Sequence, residues 1–442
     1  MKAAYGKYIN FVRHFEQEIY QMTKVYKFGG ASVKDAASIR NMSEILRQHS
    51  TEKLIVVVSA MGKTTNLLEL NLNAARNKDE NFEILFQQLI SFHQNICIEL
   101  FADLNNPVFL LIEKTFVQLK DQFENKHAFS SFDAHYDACV SYGELLSTYI
   151  LDAFFAMDNH RFQLIDARDY IVTDENFRQA NVDWNITESR IRTLEKEFLP
   201  TRNILTQGFI ARSKNQETTT LGREGSDFTA AIFASCLNSE EVVIWKDVPG
   251  LLNADPKRFS ETTKLDVISY AEAIELAYYG ATIIHPNTIK PLQNKKIPLK
   301  VKSFLHPGSD ASVICVDHFA DALVPSFIVK DNQVLISIGP RDFSFMNETN
   351  LYHIFEVFSK IGLTINVLQT SAISLSVCTD FHQEKIDLLK EKLLNEFTIR
   401  YNEGLTLLTI RHYKNAQIPD LFSSREVLLE QRSRATLQLV LK

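Results

Sequence analysis

The sequence predicts an α/β protein in which a large layered domain on a mostly parallel sheet is followed by a smaller α+β region. Three observations lead there. Residues 53–59 (KLIVVVS) and 241–245 (EVVIW) are continuous apolar runs rich in β-branched side chains, as central strands covered on both faces require. Through the first two thirds, such strands alternate with helical stretches, the pattern of a layered α/β domain. After Pro307-Gly308 the order changes to strand, helix, two strands and helix. At 442 residues the chain exceeds what one core organises, so two or three domains are expected.

Residues 1–23 read as an extension, helical in pattern. Met22-Thr23 stands directly before the first strand, so a chain beginning at Met22 is expected to keep its activity. That strand, Lys24-Val25-Tyr26-Lys27-Phe28, runs into Gly29-Gly30-Ala31-Ser32-Val33. Glycines directly after a strand let the backbone approach an anion, and the amides of a following helix start favour phosphate. Lys27 adds a mobile cation, unless it is simply a solvated lysine at a strand end. Residues 66–157 read as helical and rich in Phe and Leu, with core-forming aromatics in a lid over the substrate side. Residues 203–210 form a third strand that ends in a glycine turn. Ser269-Tyr270-Ala271-Glu272 is a capping box for a helix with Ile274, Ala277, Tyr278 and Ala281 at helical spacing, loosened at Gly280. Farther on, residues 334–338 are a strand, and Leu351, Ile354, Phe355, Phe358 and Ile361 make a helical stripe closed by Gly362. Strands at 363–368 and 373–378 and a helix at 383–396 follow. A shortened second round begins with a strand at 405–410; its helix is reduced to 419–424, before a strand at 435–441.

Composition narrows the function. A chain that is 45% hydrophobic and 23% charged, with net charge −7 and no long basic run, is not built for nonspecific nucleic-acid binding. A small substrate is expected. No segment reaches the roughly 18 uninterrupted apolar residues of a membrane span, and Arg13, His14, Glu16 and Glu18 interrupt any signal-peptide core. Cys97, Cys139, Cys236, Cys315 and Cys378 lie far apart without a Cys-x-x-Cys pair. That suits a reducing cytoplasm, with neither a disulfide framework nor a zinc site.

Four more segments carry chemistry. Ser59-Ala60-Met61-Gly62-Lys63-Thr64-Thr65-Asn66 brings hydroxyls and a glycine to the end of a buried strand. Ser141-Tyr142-Gly143-Glu144 sets a glutamate in the first turn of a helix, where it can also merely complement the dipole. In residues 218–231 (TTTLGREGSDFTAA) a glycine-bearing turn feeds a helix capped by Ser226 or Asp227, and Arg223 is a fork able to hold a carboxylate bidentately. Residues 245–258 (WKDVPGLLNADPKR) combine a strand, a turn and a basic cluster. Near the end of this region, His285 in residues 280–286 (GATIIHP) reads as packing beside a helix end rather than as a metal ligand or base. In this order the segments resemble aspartate kinase, of the amino-acid kinase family, and the βαββα tail resembles the ACT module.

The resemblance implies an amino-acid-kinase-like αβα sandwich over residues 24–315 and a ferredoxin-like ACT tail over 325–442, one module full and a second abridged. It implies ATP-dependent phosphorylation of the L-aspartate side-chain carboxylate to 4-phospho-L-aspartate, the first step toward lysine, threonine and methionine, with Mg²⁺ as cofactor. Such a nucleophile is already ionised at neutral pH, so positioning and charge neutralisation matter more than a base. By the same resemblance, Lys27 and Asp227 are catalytic. Ser59, Thr65, Glu144, Arg223 and Ser226 hold aspartate, with Glu144 on its ammonium and Arg223 on its α-carboxylate. Lys27, Phe28, Gly29, Gly30, Ser32, Lys246, Asp247 and Lys257 hold ATP. No protein side chain is expected to ligate metal. Ala31, Glu224, Lys246, Leu252 and Thr282 stand where the family has threonine, glycine, threonine, tyrosine and lysine, changes that bear on ATP affinity. A homodimer through the tail is implied, with lysine or threonine as effector and a weak response because the second module is short. The alternatives are another amino-acid kinase, acting on glutamate or acetylglutamate, and a catalytically silent amino-acid-binding sensor.

Overall fold

The computed structural model describes residues 22–281, 284–342, 344–416 and 418–442. The expectations for residues 1–21 and for Thr282 lie outside them. The chain divides into two compact units, residues 22–250 with 284–316 and residues 251–281 with 317–442.

In the first unit the strands are β1 (Lys24–Phe28), β2 (Leu54–Val58), β3 (Phe162–Ile165), β4 (Val172–Thr173), β5 (Asn203–Gln207), β6 (Ile210–Ser213), β7 (Thr218–Thr220) and β8 (Glu241–Lys246). After β9 (Val267–Ser269), which belongs to the second unit, come β10 (Leu299–Ser303) and β11 (Ser312–Cys315). The large sheet of this unit runs β3-β5-β2-β1-β8-β10-β11. Its pairings are parallel except β10 with β11. Every residue of β2 is buried, as its unbroken apolar run anticipates. Register aligns Phe28 with Val58 on one side and Trp245 on the other. The residues just past these strand ends, Gly29 and Ser59, therefore share one edge of the sheet with Lys246. Beneath them the Phe28 and Trp245 rings stack, 5.9 Å apart and 4° from parallel.

The stretch expected to be helical is so, in helices Thr64–Asn77, Phe82–Leu100, Pro107–Glu124, Phe132–Val140 and Tyr142–Met157. Phe86, Phe101, Phe116, Phe123, Phe154 and Phe155 join one hydrophobic core with Phe28 and Trp245. A small sheet, β4-β6-β7, stands apart and leads into the Arg223 turn.

The second unit holds an antiparallel sheet of order β13-β14-β12-β15-β17-β16. Its strands are β12 (Ser326–Pro340), β13 (Ile365–Thr370), β14 (Leu375–Asp380), β15 (Phe397–Arg411), β16 (Val427–Arg432) and β17 (Thr436–Leu441), with helices Glu348–Ile361 and Gln383–Leu393. Gly362 closes the first of these helices in the left-handed region, φ 66°, as expected. Four expectations need correction. The strand foreseen at 334–338 is the middle of a 15-residue strand. The two strands after the helix begin two residues later than foreseen. β15 starts at Phe397 rather than 405, and β16 was not foreseen at all. The reason is pairing: β12 and β15 run together from Ser326–Arg411 to Pro340–Phe397 across a register shift near Lys330, so no single alternation spans them.

Half of the expected capping box forms. Ser269 Oγ accepts from the Glu272 amide at 3.0 Å. The Ser269 amide donates to Asp321 instead, at 2.7 Å, while the Glu272 carboxylate takes Arg411 through its Nε at 3.1 Å. A buried guanidinium outcompetes a backbone amide for that carboxylate.

Candidate active site

Lys27 is the next-to-last residue of β1, and alternation along the strand decides where it points. It is buried, and its Nζ lies 2.6 Å from Asp227 Oδ1. Asp227 comes from the first turn of the helix Gly225–Leu237, and its other oxygen is 3.7 Å from Lys246 Nζ at the end of β8. Burial alone would raise the Asp227 carboxyl; the ammoniums of Lys27 and Lys246 outweigh it and hold the group below its ordinary value. One carboxylate thus carries two cations from adjacent strands, leaving net positive charge at the sheet edge. The helix start differs from expectation: the cap position is Glu224, so Ser226 and Asp227 sit inside the first turn. The tie to Lys27 takes the Asp227 carboxylate away from a capping role.

The glycines beside this cluster have different tasks. A Cβ on Gly30 would lie 2.7 Å from the Ala60 carbonyl and 2.8 Å from that of Gly62, so strand end and turn pack backbone to backbone. The Gly62 amide indeed donates to the Gly30 carbonyl at 3.0 Å. A Cβ on Gly29 would meet only Lys27 Nζ, at 3.5 Å. Gly29 therefore leaves the Lys27 ammonium uncovered by a side chain at this position. The Phe28 ring and Ser32 are buried.

Glu144 lies in the first turn of helix Tyr142–Met157 and is buried. Its Oε1 accepts from the Ala60 amide at 3.3 Å, and its Oε2 has no partner among the described residues. Burial pushes the carboxyl up to about 8, against the pull of the Ala60 amide and the charge of Lys27. An acid oxygen buried without a donor is a seat for a cationic group. Gly143 makes this possible, since a Cβ there would come within 2.9 Å of the Ala60 Cβ. Ser147, one turn on, donates to the Ser59 carbonyl at 2.9 Å and holds that strand end to the helix.

Arg223 is exposed on the turn before helix Gly225–Leu237 and has no hydrogen-bond or ion-pair partner among the described residues. Ser226 is buried and packs where a Cβ on Gly208 would stand. Thr65 is half-buried at the start of its helix, Ser59 is half-buried and Asp247 is exposed. Glu224 adopts the left-handed backbone, φ 54°, that glycine favours. Its carboxylate accepts from the His285 amide at 2.9 Å, and His285 caps the helix Pro286–Lys295 through its ring, as the packing reading expected. Lys257 and Leu252 belong to the second unit, where Lys257 is exposed and Leu252 bridges to Lys264.

One participant escaped the sequence reading. Asp137 is fully buried and accepts from the amides of Thr220 (2.8 Å) and Arg178 (2.9 Å) and from the Thr220 hydroxyl (2.7 Å). Burial still pushes its carboxyl up to about 6. An isolated aspartate 83 residues from its partner leaves no sequence signal. Among the described residues no group of three or more His, Cys, Asp or Glu could hold a metal ion. No described helix is long and apolar enough to cross a membrane.

The chain is 29% identical over 397 residues to lysine-sensitive aspartokinase 3 of Escherichia coli, covering 87% of this chain and 86% of that one. It is 29% identical to bifunctional aspartokinase/homoserine dehydrogenase 2 of Arabidopsis thaliana, of whose length it spans only 43%. Crystal structures of E. coli aspartokinase III match over 95% of the chain. The complex with aspartate and ADP gives a TM-score of 0.79 at 24% identity, and the complex with lysine and aspartate gives 0.76 at 25%. The model of the amino acid kinase family matches residues 22–303, well over half of the sequence. With the parallel sheet and the cationic strand edge described above, this match establishes that the chain belongs to the amino acid kinase family.

Proposed function

We propose that the chain is an aspartate kinase, moving the γ-phosphoryl group of ATP to the side-chain carboxylate of L-aspartate. The observation that carries this reading is the pairing of opposite needs in one unit. Among the described residues, Glu144 has a buried oxygen without a donor, and Arg223 is a guanidinium without an acceptor. An α-amino acid offers the ammonium for one and the carboxylate for the other, with its side-chain carboxylate left to react. Aspartokinases among the relatives along 87% of the chain add support.

In this reading Lys27 moves its ammonium from Asp227 to the transferring phosphate, on the side that Gly29 leaves uncovered. Lys246 balances Asp227 meanwhile. The N-terminal amides of helix Gly225–Leu237 favour the developing negative charge. Ser59, Thr65 and Ser226 supply hydroxyls to aspartate. Glu144 gives up its proton as the substrate ammonium arrives, since an adjacent cation favours the charged form. Phe28 through its backbone, Gly30, Ser32 and Asp247 remain proposed nucleotide contacts; Lys257 belongs to the second unit. Mg²⁺ enters the proposal together with ATP. When bound, it supplies charge neutralisation at the phosphates.

Trapping aspartyl phosphate with hydroxylamine tests the proposal: hydroxamate should form only with ATP, Mg²⁺ and aspartate together, and Lys27→Ala should abolish it. Wild-type protein as silent as that variant would overturn it. Glutamate and acetylglutamate in the same assay test the neighbouring specificities. The proposal extends to a cytoplasmic homodimer joined through the second unit and responding weakly to lysine or threonine, whose saturating addition should leave the rate within about twofold.

A further inference from the structure

Arg223 points its guanidinium into solvent from a four-residue turn, so the turn's backbone alone decides where the fork stands. Two anchors hold it. On the C-terminal side, the Lys27–Asp227 pair fixes the helix Gly225–Leu237. On the N-terminal side the turn leaves β7, a strand of only three residues that no apolar side chain anchors. Leu221 donates to the Phe209 carbonyl at 2.9 Å, and Gly222 takes φ +78°, its missing Cβ leaving the backbone close to the Arg178 carbonyl. A Cβ there would come within 3.3 Å of that oxygen.

Asp137 holds both of these supports at once. Its two oxygens take the amide and hydroxyl of Thr220, directly before the turn, and the amide of Arg178, directly beneath it. The Ala180 amide closes the loop onto the Thr220 carbonyl at 2.9 Å. The Arg178 guanidinium lies over Tyr136 at 3.9 Å and pairs with Glu69 at 2.9 Å, one helical turn after Thr65. Strand end, loop and the helix bearing Thr65 are thereby tied together through helix Phe132–Val140.

We infer that Asp137 is a positioning residue for substrate recognition, fixing the Arg223 turn so that the guanidinium meets the amino acid's α-carboxylate; this rests on the aspartate-kinase reading above. Both backbone amides share one oxygen and the Thr220 hydroxyl takes the other, so all three bonds hang on this one side chain. An asparagine could keep them, its oxygen on the two amides and its NH₂ donating to the Thr220 hydroxyl, whereas an apolar side chain leaves all three buried groups unpaired. Misplacing a binding group by about 1 Å costs up to roughly a hundredfold. The loss should fall on aspartate and spare ATP, because Lys27, Gly29 and Lys246 do not depend on β7.

Steady-state kinetics and aspartate-binding calorimetry on the full chain decide it. Asp137→Ala, which removes all three bonds, should raise the aspartate KM about tenfold or more while the ATP KM stays within about twofold. Thr220→Val, which removes only the hydroxyl bond, should raise the aspartate KM about threefold in a normally folded protein. Equal rises in both KM values, or an unmoved aspartate KM in folded variants, would overturn the positioning role alone. If Asp137→Ala does not fold, Thr220→Val decides by itself. A wild-type chain that makes no aspartyl hydroxamate overturns the activity, and this role with it.

Discussion

At the scale of single residues, Lys27 and Asp227 stabilise one another because neither charge is tolerable alone where it lies. Breaking a buried pair from one side costs about 3–5 kcal/mol, moderated here by Lys246 on the second oxygen. Lys27→Met should therefore lower the melting temperature and abolish turnover, and adding Asp227→Asn should restore much of the stability but none of the activity. Thermal melts of the two variants check this. Glu144 works in the opposite sense. Its folded pKa, about 8, lies above its unfolded value, so its neutral form favours the fold. That contribution is complete below the ordinary carboxylate range and is lost as pH rises through about 8. Glu144→Gln should thus melt higher than wild type, by little at pH 5 and by several degrees near pH 8.5, while losing aspartate binding; a gap that shrinks with rising pH contradicts the assignment. Lys27, Glu144, Arg223 and Asp227 were legible because each stands beside glycines in a short motif. Asp137 was not, since its partners come from segments 41 and 83 residues away.

At the scale of elements, adjacent glycines carry different burdens. Gly30→Ala forces a methyl against two carbonyls, and a shift of the turn should cost about 2 kcal/mol or more. Gly29→Ala meets only the flexible end of Lys27, so the fold should persist while ATP binds more weakly. Melting curves and nucleotide titration on the two variants separate these outcomes. Glu224 shows how an element tolerates an unexpected residue. Its left-handed backbone is strained, and its bond to the His285 amide offsets that strain. The resemblance marked this position as glycine, and its backbone angle supplies the reason. Central strands were legible from β-branched runs, and Gly362 marked a helix end. The lengths of β12 and β15 were not, because a strand's reach is set by its partner.

At the scale of the whole molecule, each unit has its own core and its own buried polar tie. In the second, Arg411 bonds Glu272 and Thr436, with Glu275 beside it. Arg411→Met leaves the Glu272 carboxylate buried without its guanidinium, and should cost about 3 kcal/mol, read as lost hydrogen-exchange protection in β15, β17 and helix Tyr270–Tyr279. The sequence by itself determined the α/β class, the order of the motifs and the chemistry of the strand edge, because apolar periodicity and glycine-flanked charges are local properties. Only the tertiary structure decided that Lys246 shares Asp227 with Lys27, that one Glu144 oxygen finds no donor among the described residues, that residues 251–281 fold with the C-terminal unit, and that Asp137 braces the Arg223 turn. Each of these depends on which distant backbone a side chain meets, and burial sets the worth of that meeting.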